Sequence, residues 1–180
     1  MSNNSDKKPI CVDLDGTLIK NDVTVSSLKV FLKQNIFRIF KVLLWLIRGR
    51  AYLKRRLAQE VEFDTSWLIY NEKFLDFLIS KQQAGIPIFL ATASDEIYAK
   101  KVAEQLGIFD GIFASNGEIN LRAKTKADTL CILFGEGGFI YAGNSKDDLA
   151  VWRKSGGCIL VSPSKAALKG MSNKQYILFE

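Results

Sequence analysis

Asp13 and Asp15 are two carboxylates two residues apart, set between the apolar run 10–12 and the turn pair Gly16-Thr17. Acids held this close repel each other, an arrangement that makes sense chiefly when a cation or a shared proton relieves them. Two further apolar runs end in polar groups, Thr92 with Ser94 and Asn144 with Asp148, and Lys124 and Lys126 open a helical stretch. Together this inventory fits phosphoryl transfer. One carboxylate would attack phosphorus and become an aspartyl-phosphate. A second would protonate the leaving oxygen and then activate water. Mg²⁺ bound by carboxylate, backbone carbonyl and amide oxygens would offset the negative charges, and hydroxyl, N–H and ammonium groups would hold the phosphoryl oxygens. Each element alone has a plainer reading. A D-x-D pair can be a turn, Thr92 a cap, either lysine a solvated surface group, and Gly143-Asn144-Ser145 a loop. Their joint occurrence in this order carries the argument.

Such residues need a scaffold that gathers distant segments at one edge. Strands are expected at 10–12, 86–91, 111–114, 139–142, 158–161 and 176–179, with helices at 64–81, 96–106 and 127–134. A short helix runs through Trp152, and 166–169 is a last helical turn. Gly85 and Gly107 stand where two of the helices must stop. The alternation predicts an α/β fold, a Rossmann-like parallel sheet covered on both faces, with the polar strand ends on one edge. One segment breaks the pattern. Residues 26–61 look helical throughout, with a break near Arg48-Gly49-Arg50, and read as an insertion after the first strand. The expected division is a core of 9–22 and 66–180 and a small basic helical unit of 23–65.

Composition sharpens that division. The chain is 48% apolar with a net charge of +6, but the charge is uneven. Residues 20–60 hold ten Lys/Arg and two acids, a net of +8, whereas the remainder holds fifteen basic and seventeen acidic residues, a net of −2. Whatever the positive charge attracts is met at the insertion. Cys11, Cys131 and Cys158 lie in or beside apolar runs with no pairing pattern, as small hydrophobes do in a reducing compartment. With no histidine and no cysteine cluster, the sequence argues against zinc. Residues 1–8 are polar and read as a frayed tail, not a signal peptide. The longest apolar stretch, 36–47, is interrupted by Arg38 and Lys41 and is too short to span a bilayer.

The stretch Asp13-Leu14-Asp15-Gly16-Thr17-Leu18 resembles the first motif of the haloacid dehalogenase superfamily, whose members are mostly Mg²⁺-dependent phosphatases. Ile88-Phe89-Leu90-Ala91-Thr92 resembles its second motif, and Lys126, followed by Leu130, its third-motif lysine, with Lys124 as the fallback. Gly143-Asn144-Ser145-Lys146-Asp147-Asp148 resembles the fourth, where the family usually places acids at the positions of Asn144 and Asp148. The resemblance implies that Asp13 is the nucleophile and Asp15 the acid/base. It implies a phosphoryl group held by Thr92, Ala93 and Lys126. Mg²⁺ would sit on the Asp13 side chain, the Asp15 carbonyl and Asn144, with Asp148 as direct ligand or outer support. Arg48 to Ala58, with Tyr70-Asn71-Glu72, Ala93-Ser94-Asp95 and Tyr141-Ala142-Gly143-Asn144-Ser145, resembles a branch often fused ahead of UbiA-type membrane prenyltransferases.

In this superfamily an insertion after the first motif is a cap that selects the substrate. Bulky apolar residues among many cations fit an amphipathic element on an anionic membrane or one gripping a lipid phosphate, with Arg38, Lys41, Trp45 and Arg48 as contacts. A cap whose apolar face packs on the core and whose basic face is solvated is the alternative. No nucleic-acid-binding fold is legible, which argues against that partner. The reading is a cytoplasmic, membrane-peripheral phosphomonoesterase acting on a lipid-linked or polyprenyl-type phosphate. Two alternatives stay open: a partner-binding domain of a prenyltransferase system with little turnover, and a soluble metabolite phosphatase.

Overall fold

Ile10, Cys11 and Val12 form β1 (Ile10–Val12), all three fully buried. Alternation along the strand sends Ile10 and Val12 into one apolar layer and Cys11 into the other. In the computed structural model, which describes residues 7–180, β1 is central. It pairs in parallel with β2 (Ile88–Asp95) and β4 (Ile140–Gly143). With β3 (Gly111–Ser115), β5 (Gly157–Val161) and β6 (Ile177–Phe179), the sheet runs β3-β2-β1-β4-β5-β6. The order reverses direction between β1 and β4, the crevice where open α/β sheets take their ligands. Most of the tail expected at 1–8 lies outside the described residues.

Helices close both faces. Phe74 and Leu78 of α4 (Glu72–Gln83) and Tyr98, Ala99 and Val102 of α5 (Glu96–Leu106) pack in the layer of Ile10 and Val12. Ala127 and Leu130 of α6 (Lys124–Phe134), Trp152 of α7 (Leu149–Trp152) and Ala167 of α8 (Lys165–Gly170) pack around Cys11. Three expected boundaries move. The helix expected at 64–81 begins at Glu72, because Asp64 caps a separate 3-10 turn over Thr65–Trp67 and Tyr70 pairs with Ile19 in an antiparallel bridge. The helix expected at 127–134 starts at Lys124, one turn earlier. β2 runs on to Asp95, with a register shift against β3 between Ala91 and Asp95. That irregular end brings Ser94 to the crevice.

The insertion is three helices, α1 (Val23–Gln34), α2 (Ile39–Ile47) and α3 (Arg50–Glu60), the last entered through Gly49 at φ +112°. It has a small core of its own: Phe31, Val42, Trp45, Leu57 and Val61, with the Phe31 and Trp45 rings 5.2 Å apart. Trp45 is therefore buried, not free to meet a lipid. Arg38 lies over the Phe31 ring at 4.7 Å, while Lys41 and Arg48 are exposed, and Arg48 donates to the Tyr52 hydroxyl at 3.0 Å. α3 is fastened to the end of β2. The Arg55 guanidinium stands 3.1 Å from the fully buried Asp95 and 2.7 Å from Glu96.

The insertion's core and its surface separate by mutation. Phe31→Ala should lower the free energy of unfolding in urea by about 3–5 kcal/mol. Phe37→Ala, at a ring that is 73% exposed, should change it by less than about 0.5 kcal/mol.

Candidate active site

The ends of β1 and β4 and the first turn of α6 meet in a cleft of about 460 Å³. Asp13, Asp15, Gly16, Lys126, Asn144 and Asp148 line it, joined by Ala93 and Ser94 from β2 and by Lys54 from α3. Asp13 sits where β1 stops, its N–H donating to the Ala142 carbonyl at 2.9 Å. Its Oδ1 accepts from the Leu14 N–H at 2.9 Å and lies 3.0 Å from the Lys126 ammonium. Oδ2 has no hydrogen-bond partner among the described residues. The chain then turns sharply at Gly16, φ +73°, where an added Cβ would lie 2.1 Å from the Asn144 amide nitrogen. Glycine here lets the β4 loop fold onto the Asp13–Asp15 turn.

Burial separates the two lysines. Its side chain is 3% exposed and its Nζ donates to the Tyr141 hydroxyl at 2.8 Å. Lys124 projects into solvent, 90% exposed, beside Asp128. Tyr141 in turn donates to Asp148 Oδ1 at 2.6 Å. The other oxygen of Asp148 accepts from the Asn144 N–H at 3.1 Å, the Ser145 N–H at 2.8 Å and the Ser145 hydroxyl at 2.9 Å. Asp148 is thus spent on shaping its own loop, and a Cβ on Gly143 would come within 2.6 Å of its carboxyl carbon. Asp147 also lines the cleft but pairs with Arg122, whose Nε donates to it at 2.7 Å.

Asp15 is held on both oxygens, Oδ1 by the Val23 N–H at 2.8 Å and Oδ2 by the Ser94 hydroxyl. Thr92 is fully buried, outside the cleft lining, and accepts from the Ser94 N–H at 2.9 Å. The hydroxyl that faces the cleft from β2 is therefore Ser94. In the sequence Ser94 stands at a strand end with no evident role, because the apolar run finishes before it. Lys54 was also missed. Its Nζ donates to the Ala93 carbonyl at 2.6 Å and to Asn120 Oδ1 at 3.1 Å. Its signal was buried in a run of three basic residues that looked like one solvated face. Of the cap residues expected to touch substrate, none of Arg38, Lys41, Trp45 and Arg48 lines the cleft.

Burial pushes the Asp13 carboxyl up to about 6, with Lys126 pulling it down and Asp148 pushing it up. Burial pushes Asp15 up to about 7, with Asp22 adding to the rise and Ser94 and the Val23 N–H opposing it. Burial, with Asp13 and Asp148 nearby, holds the Tyr141 phenol well above its ordinary value, so it stays a donor. Among the described residues no three His, Cys, Asp or Glu side chains cluster at metal-binding spacing. One exposed carboxylate oxygen, a backbone carbonyl and an amide around a tight turn nevertheless suit Mg²⁺, which keeps several waters and takes few carboxylates. Asp13, Asn144 and the Asp15 backbone, gathered around Gly16, are the groups that would hold such an ion.

A family model described as haloacid dehalogenase-like hydrolase matches residues 10–153, and the chain belongs to that family. An uncharacterized protein of Sinorhizobium fredii, y4nM, is 36% identical over 155 residues, which are 86% of this chain and 30% of that protein. The chain thus spans under a third of that relative's length. Among solved structures, a protein of unknown function from Bordetella pertussis Tohama I superposes with a TM-score of 0.73 at 14% identity, covering 97% of this chain and 98% of the other. A phosphoserine phosphatase solved as a phospho-aspartyl intermediate analogue superposes with a TM-score of 0.65 at 16% identity, covering 97% and 94%. These likenesses show the fold.

Two raised carboxyls make a signed prediction for the metal-free protein. Groups held above their ordinary value of 3.8 stabilise the fold most when protonated. That contribution is full below about pH 4 and fades as pH rises through about 6 and 7. In chelator, the thermal midpoint should fall across that interval, and Asp15→Asn should flatten the fall. An unchanged slope in the variant would contradict the placement of Asp15.

Proposed function

We propose that the chain is a Mg²⁺-dependent phosphomonoesterase that works through a phosphorylated Asp13. The single observation carrying this reading is the free Oδ2 of Asp13, beside an Oδ1 held by Lys126 and the Leu14 N–H. That leaves one carboxylate oxygen to attack phosphorus while the other is fixed. As the Asp13–phosphorus bond forms, the ester bond to the leaving oxygen breaks, and Asp15 gives that oxygen its proton. Asp15 then takes a proton from water as the water attacks phosphorus and the Asp13–phosphorus bond breaks, restoring both carboxylates' starting states. An Asp15 pushed up to about 7 is matched to such two-way transfer near neutrality. Lys126, the Ala93 N–H and the Ser94 hydroxyl would hold the phosphoryl oxygens, with Thr92 bracing Ser94 by accepting its N–H. Bound at Asp13, the Asp15 carbonyl and Asn144, Mg²⁺ would supply charge neutralisation for the phosphoryl oxygens.

For the substrate, the resemblance to prenyltransferase-fused relatives and the acid-poor insertion favour a lipid-linked or polyprenyl-type phosphate, met at a membrane's inner face. One observation favours a second reading, a small polar metabolite. Lys20, Asp22, Lys54 and Arg122 line the cleft, and Val25 is the one large apolar side chain among its lining residues.

Wild type incubated with a radiolabelled phosphomonoester and quenched in acid should carry label, and Asp13→Asn should carry none. Turnover should fall by about 10²–10⁴-fold in Asp15→Asn. Equal labelling of wild type and Asp13→Asn would sink the mechanism, and a panel of polyprenyl phosphates against small polar monoesters decides the substrate class. Asn144→Asp, which adds a negative charge among the proposed metal donors, should lower the Mg²⁺ concentration for half-maximal activity about tenfold.

A further inference from the structure

Helix α2 has two apolar faces where a helix docked on one core needs one. Its inner face, Val42 and Trp45 with Ile39, packs on Phe31 and Leu57. Its outer face, begun by the preceding 3-10 turn, carries Ile36, Phe37, Phe40, Leu43, Leu44 and Ile47 at three- and four-residue spacing, each between 50% and 82% exposed. A contiguous apolar face of this size on a surface helix marks something that covers it.

The surrounding charge says what that is. From residue 23 to residue 59 the chain has nine Lys/Arg and no acid. Arg55 and Arg56 meet carboxylates, and Lys54 turns into the cleft. Lys29, Lys33, Lys41, Arg48 and Arg50 are exposed and have no carboxylate within ion-pair distance among the described residues. A second copy laid face to face would bring these cations against their own equivalents. An anionic bilayer neutralises them and accepts the apolar row at the headgroup–acyl boundary. The stretch 36–47 is about 18 Å long at helical rise, and no helix among the described residues is long and apolar enough to cross a membrane. Such an element lies in the interface plane, with Lys41 reaching back toward the headgroups.

We infer that the outer face of α2 docks the protein on an anionic lipid surface. The inference goes beyond the proposed hydrolysis and stands on exposure and charge, whether or not the cleft turns over phosphate.

The test is co-sedimentation of the full chain with phosphatidylcholine vesicles, with and without phosphatidylglycerol. Wild type should pellet with the phosphatidylglycerol vesicles, remain in the supernatant with phosphatidylcholine alone, and be released by high salt. Phe37→Ser/Phe40→Ser/Leu44→Ser should bind at least about tenfold more weakly while keeping its circular dichroism and thermal midpoint, since these side chains face outward. Lys41→Gln should weaken binding about fivefold, the equivalent of one basic side chain at such a surface. Asp13→Asn should bind as wild type does, which separates docking from catalysis. Wild type left in the supernatant with phosphatidylglycerol vesicles overturns the inference. So does a dimer in size-exclusion that the triple serine variant dissolves, because the face would then belong to a second copy. Equal pelleting of wild type and the triple variant also overturns it, since charge alone would then do the binding.

Discussion

The ammonium of Lys126 is buried to within 3% of complete enclosure, and a charge so placed has to be met by partners on several sides. Asp13 and the Tyr141 hydroxyl meet it directly, and Asp148 stands 3.9 Å away. These four residues come from the end of β1, from β4, from the loop after β4 and from the first turn of α6. The requirement to compensate one buried cation therefore sets the relative positions of three segments far apart in the chain. It also orients Asp13, since the oxygen facing Lys126 is fixed and the other is left toward the cleft. Substituting any member leaves the rest with unmatched charge or hydrogen-bonding capacity in a setting where water cannot substitute.

The same network shows which parts of the site were legible beforehand. Asp13, Asp15 and Asn144 sit immediately after apolar runs, and a parallel sheet brings such positions together whatever the intervening chain does. Lys126 could be separated from Lys124 only by knowing where α6 starts. A helix beginning at Lys124 turns the third residue inward and leaves the first in solvent. Thr92 and Ser94 changed places for a related reason. Regular alternation would leave the two on one face, but the strand continues past its apolar run with a register shift between Ala91 and Asp95, and Ser94 reaches the crevice while Thr92 stays buried. Tyr141 and Lys54 carried no local sign of a place in the site, because a tyrosine in an apolar strand and a lysine in a basic run are equally well explained by packing and by solvation.

The insertion was legible as helical, basic and out of step with the α/β alternation, but its two faces were not separable by eye. Apolar residues at 39, 42 and 45 and at 36, 40, 43 and 47 both follow helical spacing. Which set turns inward depends on the partner helices α1 and α3, and Trp45 went to the inner set because the Phe31 ring lies beneath it. A tryptophan in a basic amphipathic stretch is thus a weak indicator of a lipid contact until the core of its own unit has been accounted for.

Arg55 and Lys54 are consecutive residues that grip opposite sides of the end of β2, one through Asp95 and Glu96 and the other through the Ala93 carbonyl. Swinging the insertion away as a hinged lid would have to break the Arg55 ion pairs and both Lys54 hydrogen bonds together. The insertion is thereby a wall of the cleft as well as a cover, contributing Lys54 to the lining while holding the strand end that presents Ala93 and Ser94.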